Sequence, residues 1–136
     1  MRDITDTSFS DDLVRGSPDM FINRASIAVA ALPAVAVPGQ RLCDLQSDVE
    51  IVVEADTDLV IAATPLVVKL QKSATKDGVY TDAETLYTSP TTSTVNKGVI
   101  FRRTLPVGDD YFYKAVATSI AGNTGTLSVF PHQVKR

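Results

Sequence analysis

The sequence predicts an all-β fold, a sandwich or barrel of short strands that follows a polar lead. Three observations support this prediction. Apolar and polar residues alternate with the two-residue period of a strand in several segments. Turn residues separate these segments at intervals of roughly 8–12 residues, and no segment sustains the period of an amphipathic helix. With 136 residues, 44% of them hydrophobic, the chain can bury the core of one domain.

The chain is predicted to divide into an N-terminal arm, residues 1–23, and a β-sandwich domain, residues 24–136. The arm is polar, contains the breakers Gly16 and Pro18, and lacks the apolar core of a signal peptide. In the domain, "SIAVAAL" (26–32) predicts a first strand. "AVAVPGQRLCDL" (34–45) predicts a Pro-Gly turn that leads into a second strand.

The middle of the chain shows the clearest alternation. In "DVEIVVEA" (48–55), Val49, Ile51 and Val53 lie on the side opposite to the two glutamates, which predicts a half-buried strand. "PLVVKLQKS" (65–73) alternates in the same way. The Asp77-Gly78 pair that follows predicts a tight turn, because glycine accepts the positive φ that such turns need.

The C-terminal part predicts a polar loop, "TSPTTSTVNKG", and then three strands. These strands are expected over Val99–Leu105, Tyr111–Thr118 and Thr126–Phe130, with turns at "PVGD" and "AGNTG". Neighbouring side chains in a strand point to opposite faces, so Arg102 and Arg103 are expected to point apart. By the same alternation, Tyr113 shares the core side with Ala115 and Ala117.

The charge distribution favours a charged contact face over a nucleic-acid surface. The net charge is −3, yet residues 97–136 carry six Lys and Arg against two Asp. A basic third on an acidic chain suggests a contact face, and solvated strand edges are the alternative. Because the two adjacent arginines point apart, they cannot form one phosphate-binding patch with Lys114 and the Tyr-Phe-Tyr cluster. No nucleic-acid partner is therefore predicted.

No catalytic or metal-binding constellation emerges from the sequence. His132 is the single histidine and is expected at the surface, and Cys43 is the single cysteine, so no intrachain disulfide is expected. "EADTDL" (54–59) alternates three carboxylates, but it lacks the glycine and the distal Glu of a calcium loop. We therefore predict no enzyme activity, no cofactor and no metal. The apolar run around Pro33 is too short to cross a membrane.

The stretch "DDYFYKAVATSIAGNTGTLSV" resembles the last two strands of immunoglobulin or fibronectin type III domains. In that pattern Tyr113 would fill the tyrosine corner. Ala115 stands where an immunoglobulin domain has its disulfide cysteine, and the chain contains no tryptophan. This resemblance implies an immunoglobulin-like sandwich, in a tail or head-completion virion protein with weak surface or carbohydrate binding.

A second resemblance spans more of the chain, most of residues 8–130. The segments that carry it are "SFSDD" (8–12), "VVKLQKSATKDGVYTDAETLYTS" (67–89) and "KGVIFRRTLPVGDDYFYKAVAT" (97–118). In this order they are similar to the Bbp16-like family of phage capsid cement, or decoration, proteins. The resemblance implies a jelly-roll β-sandwich without enzyme activity, made in the host cytoplasm. It would form a homodimer or homotrimer on the capsid exterior and bind the major capsid protein.

Under this second reading, two groups of residues are predicted to contact the capsid or another subunit. Apolar residues of the arm region would anchor it in a neighbouring groove, unless they close the domain's own core. Basic residues would face an acidic capsid surface. The predicted contact residues are Phe9, Met20, Phe21, Ile22, Arg102, Arg103, Lys114, Lys135 and Arg136.

Overall fold

The structure, a computed structural model, describes residues 21–33, 39–41, 49–105 and 111–133. These residues form eleven strands and no helix. In chain order the strands are β1 (Ile22–Ser26), β2 (Ala31–Leu32), β3 (Gln40–Arg41), β4 (Val49–Ala55), β5 (Leu59–Ile61), β6 (Val67–Ser73), β7 (Thr81–Thr88), β8 (Ser93–Val95), β9 (Gly98–Leu105), β10 (Phe112–Thr118) and β11 (Thr126–Gln133).

The strands form two main antiparallel sheets and one small ribbon. Sheet I has the order β1-β11-β4-β9, so the first and the last described strands are neighbours. In sheet II, β10 pairs with β6 and β6 pairs with β7. The other edge of β10 is shared, since β2 pairs with its C-terminal end and β3 with its N-terminal end. Strands β5 and β8 form the two-stranded ribbon.

One face of each sheet contributes to a single hydrophobic core. From sheet I the core receives Val49, Ile51 and Val53 of β4, and from sheet II it receives Val68 and Leu70 of β6, all at most 4% exposed. Two sheets that share one buried layer define a β-sandwich, which confirms the predicted all-β fold. A smaller cluster, Val52 with Phe130, lies on the face of sheet I that points away from this core.

Several predicted strands are confirmed because their alternation matches one buried face. The segment 48–55 becomes β4, in which both glutamates lie opposite Val49 and are partly exposed. The segment 65–73 becomes β6, and the strand predicted over Val99–Leu105 becomes β9 with Gly98 added. The two C-terminal strands are also present, and the last one continues to Gln133.

The start of the domain differs from the prediction. Residues 26–32 do not form one strand, since β1 ends at Ser26 and β2 contains only Ala31–Leu32. Between them the backbone bends, and the Ile27 amide donates to the Gly125 carbonyl at 3.0 Å. The first strand begins at Ile22, inside the segment 1–23 predicted as an arm. The cause is burial, because Phe21 and Ile22 pack in the core at 0% and 1% exposure.

The turn predicted at Asp77-Gly78 is present, but not for the predicted reason. Gly78 is not among the glycines with positive φ. Its amide donates to the Thr75 carbonyl at 3.2 Å, and a Cβ here would overlap the Thr75 hydroxyl oxygen. The left-handed freedom of glycine is used at Gly125 instead, where φ is 119° and a Cβ would lie 2.7 Å from the Asp58 carbonyl oxygen.

Two short strands were not predicted. Strand β8 lies within the segment expected to be a polar loop, and β5 follows the acidic turn after β4. Of the strand predicted to follow the Pro-Gly turn, Gln40 and Arg41 form β3. The "PVGD" turn and Cys43 lie outside the described residues.

Candidate functional site

The two arginines of β9 point in different directions, as their alternation predicts. Arg102 Nη1 donates to Glu50 Oε1 at 3.0 Å, across the β9–β4 pairing on the outer face of sheet I. Arg103 Nε lies 3.1 Å from both carboxylate oxygens of Glu84, which belongs to β7 of sheet II. The Arg103 side chain therefore bridges the edges of the two sheets, and the Arg102 side chain does not.

Strands β7 and β9 form what we call the open-edge surface. Each is the outermost strand of its sheet, and no described strand pairs with the outer edge of either one. The two edges contact each other beside the Arg103–Glu84 ion pair. Most side chains along β7 are exposed, as are three consecutive residues of β9, Arg102 to Thr104. An edge strand of this kind offers its backbone groups to an added strand.

The charges on the open-edge surface are held in exposed ion pairs. The Arg102 and Arg103 side chains are 53% and 46% exposed, and their partners Glu50 and Glu84 are 20% and 33% exposed. In water such pairs contribute little to folding, about 0.2–1 kcal/mol each. A partner carboxylate can therefore replace Glu50 or Glu84 as the ion-pair partner of an arginine, with only a small loss of folding free energy.

Lys114 lies on a different surface. It projects from β10 on the side opposite to the buried Tyr113 and Ala115, which is the outer face of sheet II. Its Nζ lies 4.4 Å from the centroid of the Tyr80 ring. A similar contact joins Lys72 to the Tyr111 ring at 4.3 Å. Lys114 and the two arginines therefore do not form one basic patch.

The predicted apolar contact residues fall into two groups. Phe21 and Ile22 are buried in the core, so they close the domain itself and present no surface to a partner. Phe9 and Met20 lie outside the described residues. Lys135 and Arg136, of the basic group, also lie outside them.

The single histidine does not form a nucleophile–base pair with the serine of its own strand. Ser128 Oγ forms hydrogen bonds with other residues: it accepts one from the Arg24 amide at 3.0 Å and donates one to Asp56 Oδ2 at 2.6 Å. His132 is half-buried, and its Nδ1 lies 3.8 Å from Glu50 Oε1. The hydroxyl of Ser128 acts as a structural link between β1, β11 and the turn after β4.

The alternating carboxylates at 54–58 separate after the strand ends. Strand β4 ends at Ala55, Asp56 turns to Ser128, and Asp58 Oδ1 accepts from the Lys97 amide at 2.8 Å. Within the described residues no group of three or more acidic, histidine or cysteine side chains has the arrangement of a metal site. The same part of the chain contains no helix long and apolar enough to cross a membrane.

Sequence reasoning did not find the partners of the predicted residues. Each predicted cation within the described residues contacts a residue that lies 19 to 52 positions away in the chain. These contact residues are Glu50, Glu84 and Tyr80. Local alternation indicates that Glu50 lies on an outer face, and it does not reveal which strand will be adjacent. Only the register of β4 with β9 brings Glu50 and Arg102 together.

Fold and surface together define an all-β sandwich in which two adjacent edge strands are not covered by any described strand. No family model, no curated protein and no solved structure matches the chain.

Proposed function

We propose that this protein is a structural virion protein that binds the outside of an icosahedral phage capsid and stabilises contacts between major capsid protein subunits. It would be a cement, or decoration, protein of jelly-roll type without enzyme activity. The observation that carries the proposal is the open-edge surface, where two edge strands lie side by side with exposed charges. Of the segments that resemble the cement proteins, 67–89 contains the β6–β7 hairpin and 97–118 contains β9 and β10, whereas 8–12 lies outside the described residues.

Strand addition gives this surface a physical mode of binding. A segment of a capsid protein can pair with β9 or β7 through backbone hydrogen bonds, and the exposed side chains along the edge select which segment fits. Such binding requires a partner held at the correct distance and angle. The assembled lattice presents that arrangement, and a free capsid subunit does not.

Stabilisation of the shell then follows from mass action. A protein that binds only the assembled lattice lowers the free energy of that lattice by an amount set by its concentration relative to its Kd. Each exposed charge contact adds only a few tenths of a kcal/mol to about 1 kcal/mol. Many copies on one shell, or several subunits in one oligomer, supply the remaining affinity through multivalency.

The proposal predicts that capsids gain thermal stability when the protein is added. Capsids of the parent phage assembled without this chain would be mixed with it, and binding would be followed by co-sedimentation and by the capsid Tm. The double variant Arg102→Gln, Arg103→Gln should bind about 2- to 30-fold more weakly, because two contacts of about 0.2–1 kcal/mol each are lost.

Arg24→Gln is the matched control for this experiment. Arg24 is exposed on β1, at the edge of sheet I opposite to β9, so this variant loses an arginine charge away from the open edge. Equal weakening by both variants would contradict a role for the open-edge surface. Electron cryomicroscopy with density for this chain at the tail, and none on the head lattice, would replace the proposal with the immunoglobulin-like tail protein.

A further inference from the structure

Strand β9 divides along its length into an apolar half and a basic half. Val99, Ile100 and Phe101 come first, and Arg102 and Arg103 follow. Val99 is 46% exposed, and the two arginine side chains are 53% and 46% exposed. No described strand pairs with the outer edge of β9, so a strand that adds there lies beside both halves.

The pattern of β9 defines the sequence of the strand that fits its edge. Side chains directly opposite each other in paired strands interact, and opposite charges stabilise the pair. Every described pairing between strands of this protein is antiparallel. An added antiparallel strand therefore needs two acidic residues opposite the arginines, followed by apolar residues opposite Phe101 and Ile100.

The N-terminal segment of the chain contains this sequence. Residues 10–14 are Ser-Asp-Asp-Leu-Val, in which two acidic residues precede two apolar ones. An antiparallel register that places Asp12 opposite Arg102 also places Asp11 opposite Arg103. The leucine and the valine are then opposite the apolar half of β9. Charge and hydropathy therefore match along the whole contact.

Two further observations favour residues 10–14 over other segments. The only other pair of consecutive acidic residues, 109–110, comes before β10, which already pairs with β6 on one edge and with β2 and β3 on the other. Residues 1–20 contain five Asp against two Arg, a net charge of −3, whereas β9 has two Arg and no acidic residue. The attraction between them therefore acts over the segment as a whole.

The N-terminal segment is long enough to reach β9 within one chain. Ile22, Val129, Val53 and Phe101 are successive partners across sheet I, so this row leads from β1 to β9. Three strand spacings, and a fourth to the added strand, amount to about 19 Å. The seven steps along residues 14–21 span up to about 24 Å.

A cover over the outer face of sheet I also accounts for the burial of two apolar side chains there. Val52 is 2% exposed and Phe130 is 3% exposed, and they are partners in the pairing of β4 with β11. Among the described strands, none forms a layer over this face. A segment that runs from β1 to β9 across the face passes over both side chains and shields them from water.

We infer that residues 10–14 of this chain add to the outer edge of β9 as an antiparallel strand, and that residues 15–20 cross the outer face of sheet I to connect this strand with β1. The two apolar residues of the added strand extend the core beside Ile100 and Phe101, which already pack against it. The inference rests on the domain alone and does not depend on the proposed capsid role. In that role, a capsid segment can add to β9 only after residues 10–14 leave, whereas the edge of β7 stays open.

Hydrogen–deuterium exchange of the full chain, followed by NMR, tests this inference without any capsid. The β9 amides that point away from β4 should exchange more slowly than the β7 amides that point away from β6, because only β9 gains a partner. The double variant Asp11→Asn, Asp12→Asn removes both charge contacts with the arginines. It should speed the exchange of these β9 amides by about 2- to 30-fold, as expected for two exposed charge pairs.

The double variant Asp3→Asn, Asp6→Asn is the matched control, since it removes two carboxylates from the same segment but outside residues 10–14. It should leave the exchange of β9 unchanged. Equal exchange at the edges of β9 and β7 in the wild-type chain overturns the inference, and so does an equal effect of the two variants. Exchange that changes on dilution also overturns it, because a contact within one chain does not depend on protein concentration. These outcomes do not depend on whether the protein binds capsids.

Discussion

The side chain of Asn123 forms hydrogen bonds with residues of two different loops. It comes from "AGNTG", which the sequence marks as a turn, and the turn is present. Its burial could not be predicted, because its three partners, Ala62, Thr64 and Ser119, include two that lie about sixty residues earlier in the chain. A turn residue is expected to face water, and only tertiary structure shows that this one faces inward.

Replacing Asn123 with Ala should lower the free energy of unfolding by about 1–3 kcal/mol. The change removes hydrogen bonds from the partly buried Ala62 amide and Thr64 carbonyl, and it leaves the buried Ser119 hydroxyl without this partner, which costs about 1–3 kcal/mol. Urea unfolding followed by circular dichroism measures the loss. Thr124→Ala is the control, since Thr124 is exposed and should change stability by less than about 0.5 kcal/mol. Equal effects of the two substitutions would show that the side-chain hydrogen bonds of Asn123 contribute little.

At the scale of elements, alternation predicts strands that have one buried face and fails for strands that are short. Strands β4, β6 and β9 are long enough for their period to show. Strands β5 and β8, of three residues each, are defined by pairing with each other and not by their own pattern. For the same reason the open-edge surface could be predicted only in part, since alternation separates Arg102 from Arg103 but cannot show that β9 and β7 are outermost.

The β6–β7 hairpin is linked across its strands by Asp82, which accepts from Gln71 Nε2 at 3.0 Å and from Lys69 Nζ at 3.2 Å. These hydrogen bonds, first that of Gln71 and then that of Lys69, lower the pKa of the Asp82 carboxyl. Because the folded-state pKa is the lower one, the stabilisation is present above the unfolded-state pKa. It is lost as the pH falls through the folded-state pKa.

Gln71→Ala should therefore raise the pKa of Asp82 toward its ordinary value of 3.8. Carboxyl-carbon NMR across an acid titration measures this shift in the folded protein. Lys69→Met should also raise this pKa, because it removes both the second hydrogen bond and the attraction of the lysine charge. A pKa that stays in place in the Gln71 variant would contradict the link between the two strands.

At the scale of the whole molecule, sheet I is complete only when the last described strand, β11, has paired. Strand β11 lies between β1 and β4, so the first described strand has no partner in sheet I until the last one pairs. Val129 pairs with Ile22 on one side and with Val53 on the other. Such distant pairings could not be predicted from the sequence, because its local pattern indicates strands but not their order in a sheet.

A chain truncated after Gly125 should lose cooperative unfolding, since sheet I would lack a central strand. Strand β1 would lose its partner in sheet I, and β4 would remain paired only with β9. A chain truncated after Gln133 retains all of β11 and should unfold cooperatively, which makes it the control. Thermal unfolding monitored by near-ultraviolet circular dichroism distinguishes the two chains. A sharp transition in the shorter chain would mean that β1 and β4 can find another arrangement.

The antiparallel pairing of β1 with β11 also determines where added sequence would project. Because Ile22 is opposite Val129, the described chain begins at Phe21 and ends at Gln133 at the same end of sheet I. The turn that contains Asn123 lies at the other end of β11, before Thr126. A protein joined directly to Phe21 or to Gln133 would thus be carried at the end away from this turn.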